Sequence, residues 1–507
     1  MEQNASLTRS GTSAHDKRLF IACFFAMTTT SFAFILRALT LPAWEAEFNL
    51  TKTQVGEIAG VGLWPYIITI VLFSLIIDKI GYKKSMVFAF VCHILSAVLT
   101  FFAQDYGMLY AATFIMALGN GTTEASINPI TITLFPNSNT KYMNYLHAGW
   151  PTGLILGGIL VLVMGPEVAW RFKMLLVILP AVVYAILMFP LIFPVQQRVK
   201  AGVSYIDMLK EFGIGGALIV SALVVFQLGS VIGWSMPVSV IITTILTVTF
   251  GYFVRSFGQP VFLIILLLMV PLATTELGTD GWISDLMAPA MSKIGLQAGW
   301  ILVYTSAVMA VMRFSVGKFV HKIKPLGILA IFSGVAAVGL FLLSSSAGIM
   351  VLIAATIYGL GKSLLWPTVL GVVADRFPKG GALTLNTITG VGMMGGGIIG
   401  AAVLGFIQDK SVDKNILAYD QAHNAELHST YISAEKTSLF GNYQALDLDK
   451  LSEASEADSE IITAVQGIAK KDALRKVALT PVFMMVCWIL LILFFKLRGG
   501  YKRIMLE

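Results

Sequence analysis

The sequence predicts an all-α membrane protein built as two six-helix bundles with a two-helix hairpin inserted between them, fourteen spans in all. Three observations lead there. Of the 507 residues, 57% are hydrophobic and only 12% charged, whereas a soluble domain averages roughly 45–50% and 25%. The apolar residues gather in runs of about twenty, the length that carries a helix across the hydrocarbon core. Lys and Arg collect on alternate loops between those runs, as short cytoplasmic loops require.

The same distribution excludes other classes. The 35 Lys and Arg against 28 Asp and Glu, net +7, form no continuous basic patch, so no nucleic acid is expected as a partner. Cys23, Cys92 and Cys487 all lie in apolar segments, which leaves neither a disulfide framework nor paired-Cys zinc spacing. Gly390-Val-Gly392-Met-Met-Gly395 spells a dinucleotide fingerprint but sits inside a span, where glycines serve close helix packing. Gly361-Lys362-Ser363 resembles the end of a phosphate-binding loop, yet Thr356 stands where its first glycine belongs. No metalloprotease or hydrolase motif occurs. The sequence therefore implies neither an enzyme nor a cofactor.

Residues 1–17 read as a polar cytoplasmic tail. Lys17-Arg18 precede a first span, about 19–44, too long for a signal-peptide core. Further spans near 57–77, 85–103, 108–134, 144–165 and 173–194 complete an N-terminal bundle over 18–195. A basic linker, 196–212, follows. From Phe212 to Val254, 43 residues pass without Asp, Glu, Lys or Arg; that run fits two spans, a hairpin over 213–254 turning near Gly233 and Pro237. The second bundle begins at 255, with spans near 259–289, 296–316, 326–345, 349–372 and 383–407. Its last helix, 477–495, lies in the segment 475–507 beyond a polar, acidic, extracytoplasmic loop, 408–474. Leu446, Leu451, Ile461, Val465 and Ile468 suggest an amphipathic helix in that loop, lying on the membrane or capping an exit. Predicted cytoplasmic loops carry Lys79, Lys83, Lys84, Arg198, Lys318, Lys322, Arg376 and Lys379, and the opposite loops are nearly bare of positive charge. This places both termini in the cytoplasm of an inner-membrane, multi-pass protein.

The halves share an internal repeat. Phe135, Pro136, Asn144, Gly153 and Gly158 recur as Phe377, Pro378, Asn386, Gly395 and Gly400, each displaced by 242 residues. Parallel repeats of this kind mark one large transporter architecture.

A charge at mid-bilayer costs at least roughly 2.5–3.5 kcal/mol, so each one is a functional candidate. Arg37, Glu124, Glu276, Asp280 and Lys362 stand out. Asn120, Glu124 and Asn128 are spaced four apart and form one polar stripe that must face a cavity. Glu124 is the best proton carrier; permanent pairing with Arg37 is the structural alternative. Glu276 joins it as a proton-coupling candidate, and His147 is a third because imidazole titrates near neutral pH. Arg37, Asn120, Asn128, Asn144, Trp150, Thr275, Tyr304, Lys362 and Trp366 form the candidate solute-binding set, in which amides and cations hydrogen-bond and Trp faces stack.

Ser74-Leu-Ile-Ile-Asp78-Lys79-Ile-Gly81-Tyr-Lys83-Lys84 resembles the signature loop of the major facilitator superfamily, with Ser74 where the family usually has Gly. The resemblance implies a gating role for Asp78, Lys79 and Gly81. The second-half counterpart, Gly317-Lys-Phe-Val-His321-Lys322, has His where Asp is expected. Leu118-Gly-Asn-Gly-Thr-Thr-Glu124-Ala-Ser-Ile-Asn128-Pro129 is similar to the fucose permease branch of proton:sugar symporters, which implies a proton and substrate role for Glu124. That branch's first-span aspartate is absent, and Arg37 occupies its region.

The expected function is secondary transport by alternating access, as proton-coupled symport of a sugar-like solute by a monomer in the lipid bilayer. Organic-anion transport using Arg37 and Lys362, or a non-transporting membrane sensor, are the alternatives.

Overall fold

The computed structural model describes residues 13–50, 52–280, 283–284, 291–292, 295–346, 348–438 and 441–506. Its first helix, Ala14–Phe48, opens on a capping box: the Asp16 amide donates to the Ser13 hydroxyl, and the Ser13 amide donates to the Asp16 carboxylate. This box starts the helix ahead of the expected boundary at 18. The helix ends at Asn49, whose φ of 49° is in the left-handed region that Asn tolerates.

Twelve described helices are long and apolar enough to cross a membrane, and they include both arms of the predicted hairpin, Tyr205–Ile232 and Met236–Val254. Two expected spans are not among the twelve: Tyr106–Leu134 and the segment that starts with Gly381–Met394. Both are rich in Thr, Asn and Gly, and both bury almost all of the face that carries those residues. Protein surrounds them, so they need less apolar surface than a lipid-facing helix. The expected total of fourteen is thus not reached by apolar length alone.

Four expected spans are interrupted. The span 57–77 breaks between Lys52–Val61 and Pro65–Ile80, with Pro65 opening the later helix. Asn139–His147 gives way to Gly149–Met164, Trp170–Leu175 to Ile178–Met188, and Met350–Lys362 to Leu365–Arg376. In each of these three a proline stands third in the later helix: Pro151, Pro180 and Pro367. There its missing N–H falls among first-turn groups that have no intrahelical acceptor anyway. Another proline, Pro271, ends regular winding in Pro260–Ala273, and a π-helical turn, Thr274–Gly278, follows. A second π-helical turn, Gly395–Gly400, packs against it: a Cβ at Gly400 would meet Thr274 and one at Gly396 would meet Ala273.

The hairpin is closed at its base by backbone. Ile214 and Gly215 amides donate to Ser256 and Phe257 carbonyls at 2.8 and 3.0 Å, and the Gln259 amide donates to the Glu211 carbonyl at 3.1 Å. Gly213 at φ 66° and Gly258 at φ 98° make that approach feasible, because a Cβ on either would strike the other's main chain.

The repeat glycines carry the contact between helices within each half. A Cβ at Gly153 would meet the Thr28 carbonyl and Ser31 hydroxyl of the first helix; one at Gly395 would meet the Val270 main chain, on the first helix of the second half. Fifth and eleventh bundle spans thus lean on equivalent neighbours through equivalent positions.

The 408–474 segment departs from the all-α expectation and from a helix lying on the membrane. Ala401–His423 runs outward and Glu456–Val477 returns, and between them strands Ile432–Ser438 and Gly441–Leu446 pair antiparallel. Val412, Ile416, Leu427, Tyr431, Ile432, Leu446, Ile462 and Val465 form a separate small core. The apolar residues noted in the sequence serve that core, except Ile468, which is 56% exposed.

Gly153→Ala sets a methyl against a backbone carbonyl that cannot yield. It should destabilise the fold by about 1–3 kcal/mol and lower the melting temperature of the detergent-purified protein. Gly405→Ala, with open space at its Cβ, should leave that temperature unchanged or slightly raised.

Candidate functional site

Among the described residues, the charged side chains buried in the bundles include Arg37, Glu124, Glu276, Asp280, Arg313 and Lys362. Glu276 leaves the π-helical turn after Pro271 and accepts from Arg313, Nη2 to Oε1 at 2.8 Å. Arg313 gives its other donors to carbonyls, Nε to Ser363 at 2.7 Å and Nη1 to His147 at 2.7 Å. One guanidinium therefore ties the first half to three segments of the second. Glu276 Oε2 has no hydrogen-bond partner among the described residues.

Lys362 is fully buried and paired with Asp280, and its ammonium stands 4.9 Å from the Tyr358 ring centroid. Asp280 is 5% exposed. The pair is mutually satisfied, so Lys362 offers no open charge to a solute in this state.

Glu124 has no cation within ion-pair distance among the described residues. The Tyr66 hydroxyl donates to Oε1, and the Asn128 amide stands 3.4 Å from Oε2. The structural alternative of a Glu124–Arg37 pair is thereby set aside. Asn128 Oδ1 meets His147 Nε2 at 3.2 Å, so the stripe passes from Tyr66 through Glu124 and Asn128 to the imidazole. Since an amide oxygen only accepts, His147 carries a proton on Nε2 there.

The repeat-related asparagines make matching contacts across the halves. Asn144 donates to Thr368 at 3.3 Å, and Asn386 donates to the Ala125 carbonyl at 3.0 Å and to Ser74 at 2.8 Å. Between these contacts lies a small pocket lined by Glu124, His147, Trp150, Glu276, Leu277, Arg313, Trp366 and Met393.

Five predicted site residues thus share that pocket: Glu124, His147, Trp150, Glu276 and Trp366. Asn128 and Asn144 border it through their bonds. Asn120 turns away to His93, Oδ1 to Nε2 at 3.1 Å, inside the first half. Thr275 meets the last helix at Thr480, 2.8 Å between hydroxyls. Tyr304 is 40% exposed and bonded to Thr356 on the outer surface. Arg37 is buried, with Phe34 beneath its guanidinium at 5.6 Å and no carboxylate within reach among the described residues.

Two residues were missed. Arg313 carried the same signal as the others, a charge inside an apolar run. Tyr66 carried none, because an isolated tyrosine in a span is ordinary.

At the end of the molecule that bears the basic loops, Asp78 pairs with Arg198 of the linker. With its amide nitrogen turned to Asp78, Gln196 bridges that carboxylate and the Ala382 amide, 2.6 Å each. Gly81 supplies the positive φ of 80° that turns the chain, and Lys79 is exposed, 5.9 Å above the Tyr205 ring. In the second half the acid is Asp375, which lines one pocket with His321 although it lies 54 residues later in the chain. It accepts from Asn139 at 3.0 Å and from Tyr501 at 3.2 Å, with Arg503 at 3.5 Å.

Removing one member of a buried ion pair strands the other charge. Arg313→Met and Glu276→Met should each destabilise the protein by about 3–5 kcal/mol, and the double variant should lose less than the sum. Melting temperatures of the three proteins test this.

The profile of the Major Facilitator Superfamily matches residues 19–407. The chain is 25% identical over 185 residues to a gentisate transporter of Corynebacterium glutamicum, covering 36% of this chain and 42% of the relative. It is 26% identical over 176 residues to a probable 4-methylmuconolactone transporter of Cupriavidus pinatubonensis, covering 34% and 41%. An L-fucose-proton symporter of Escherichia coli is 27% identical over 110 residues, covering 21% and 25%. The matches span about two fifths of the first two relatives' length. Among solved structures, the E. coli fucose:proton symporter superposes with TM-score 0.54 at 16% identity, covering 92% of this chain and 98% of that one. A proton:xylose symporter gives 0.59 at 13%, covering 82% and 92%. These structures share the fold. With the family profile matching most of the sequence, and two repeat-related halves meeting at a buried polar pocket, the chain belongs to the Major Facilitator Superfamily of membrane transporters.

Proposed function

We propose that this chain is a secondary active carrier that moves a small organic solute together with a proton, by alternating access across an inner membrane. The observation that carries the proton role is Glu124. It is the buried carboxylate of the pocket that has only a hydroxyl and an amide for partners, so gaining a proton leaves no cation stranded. Glu276 is tied to Arg313, and His147 is linked to Glu124 through Asn128, whose amide oxygen faces the imidazole and whose amide nitrogen faces the carboxylate.

A sugar-like solute follows from the fucose-permease resemblance and from the Trp150 and Trp366 faces at the pocket. One observation favours an organic anion instead: Arg37 is a buried cation with no carboxylate partner among the described residues. The gentisate transporter match points the same way. Lys362, enlisted for the anion in the sequence, is occupied by Asp280.

Fourteen membrane spans remain our proposal, supported by the twelve apolar helices together with the two buried polar ones. In this topology the Lys79–Lys84 end is cytoplasmic, as are both termini, and Asp78, Lys79 and Gly81 belong to the gate there. The monomer suffices, because both halves of the pocket come from one chain.

Proteoliposome uptake tests the function. With an inward proton gradient, labelled sugars and aromatic acids should separate into accumulated and ignored solutes. Glu124→Gln should abolish accumulation of the transported one while preserving its exchange down a gradient. Undiminished accumulation by Glu124→Gln would remove the proton assignment.

A further inference from the structure

Counting charges inside the bundles isolates two groups. Glu276 is paired with Arg313 and Asp280 with Lys362. Glu124 and Arg37 remain, both in the first half, and neither has an oppositely charged partner among the described residues. Arg37 is 6% exposed. Arginine keeps its charge under all physiological conditions, so it cannot relieve burial by losing a proton. A buried guanidinium without an anion leaves a large desolvation cost unoffset.

The surroundings of Arg37 are shaped around it. A Cβ at Gly62 would overlap the guanidinium, so glycine there makes the room that it occupies. Phe34, one turn earlier on the same helix, lies 5.6 Å below the guanidinium carbon and is only half-buried. Phe34 in turn meets Trp150, centroids 5.9 Å apart at 44°, and Trp150 lines the pocket that holds Glu124. A cation, two aromatic rings and a protonatable carboxylate thus follow one another. Gly62 and Tyr66, four residues apart, hold the two ends of this series: Gly62 beside Arg37 and Tyr66 bonded to Glu124.

We infer that Arg37, Phe34 and Trp150 form a subsite for a planar monocarboxylate: the guanidinium takes the carboxylate, and the solute's ring lies along the two aromatic side chains. This deepens the symport reading and rests on it. The bound anion offsets Arg37 while a proton offsets Glu124, so one carboxylate and one proton cross together without moving net charge. Guanidinium and carboxylate match in a planar two-bond geometry, and an aromatic face accepts a flat ring without a desolvation penalty.

The test uses the full-length protein in detergent, with benzoate as probe and benzyl alcohol as its uncharged match, titrated by calorimetry. Wild type should bind benzoate in preference to benzyl alcohol. Arg37→Gln should weaken benzoate roughly 10- to 100-fold and leave benzyl alcohol unchanged. Gly62→Ala keeps every charge but displaces the guanidinium, and should reproduce that loss even if Arg37→Gln folds poorly. Absence of a benzoate preference in wild type, or its survival in Gly62→Ala and a monodisperse Arg37→Gln, overturns the subsite. Glu124→Gln should still bind benzoate. If benzoate binds through Arg37 but never accumulates in proteoliposomes under a proton gradient, the subsite stands and the symport reading fails.

Discussion

Arg313 is the constraint on which the arrangement depends. Its three donor groups reach Glu276, the Ser363 carbonyl and the His147 carbonyl, so protein groups solvate the cation. Two of those partners belong to the second half and one to the first. Any rocking of the halves must therefore exchange the His147 contact for something else, or carry the guanidinium with it. Because the low dielectric punishes an unsatisfied charge, the halves have a small number of acceptable arrangements and not a continuum.

Around that contact the repeat imposes symmetry without identity. Asn144 and Asn386 cross to the opposite half in matching fashion, and Gly153 and Gly395 seat matching helices. The chemistry, however, is distributed unevenly. The first half supplies Glu124 and Arg37, which have no ionic partners among the described residues, and the second supplies two ion pairs on Glu276 and Asp280. Duplication preserved the packing positions, where backbone approach leaves no freedom. The polar lining diverged, because a cavity wall tolerates exchange.

Much of this was legible in the sequence and some was not, for identifiable reasons. Apolar runs and the charge-free stretch 212–254 locate the helices because membrane insertion constrains composition directly. The spacing of Glu124 and Asn128 locates one wall of the pocket, since helical geometry alone brings those two residues to one side. Helix breaks were not foreseen at Pro151, Pro180 and Pro367, because a proline in the first turn is compatible with either an unbroken run or a new start. Pair assignment was the weakest point. A sequence reports that Lys362, Asp280, Arg37 and Glu124 are buried charges, but which of them meet depends on sub-ångström placement of distant helices. The π-helical turn at Thr274–Gly278 redirects Glu276 in a way no periodicity encodes. The β-hairpin in 408–474 is held by a local core of its own, and its short strands had no long alternating pattern to announce them.

The final span has no break at its outer end. Glu456–Val477 passes through Ala478, itself in helical conformation, directly into Leu479–Leu497, a continuous rod of 42 residues, or about 63 Å at 1.5 Å per residue. A rigid rod of that length converts small angles into large displacements. Tilting the second bundle by about 10° would sweep the far end of the cap through roughly 11 Å by this geometry, so the cap is where any such tilt would be largest.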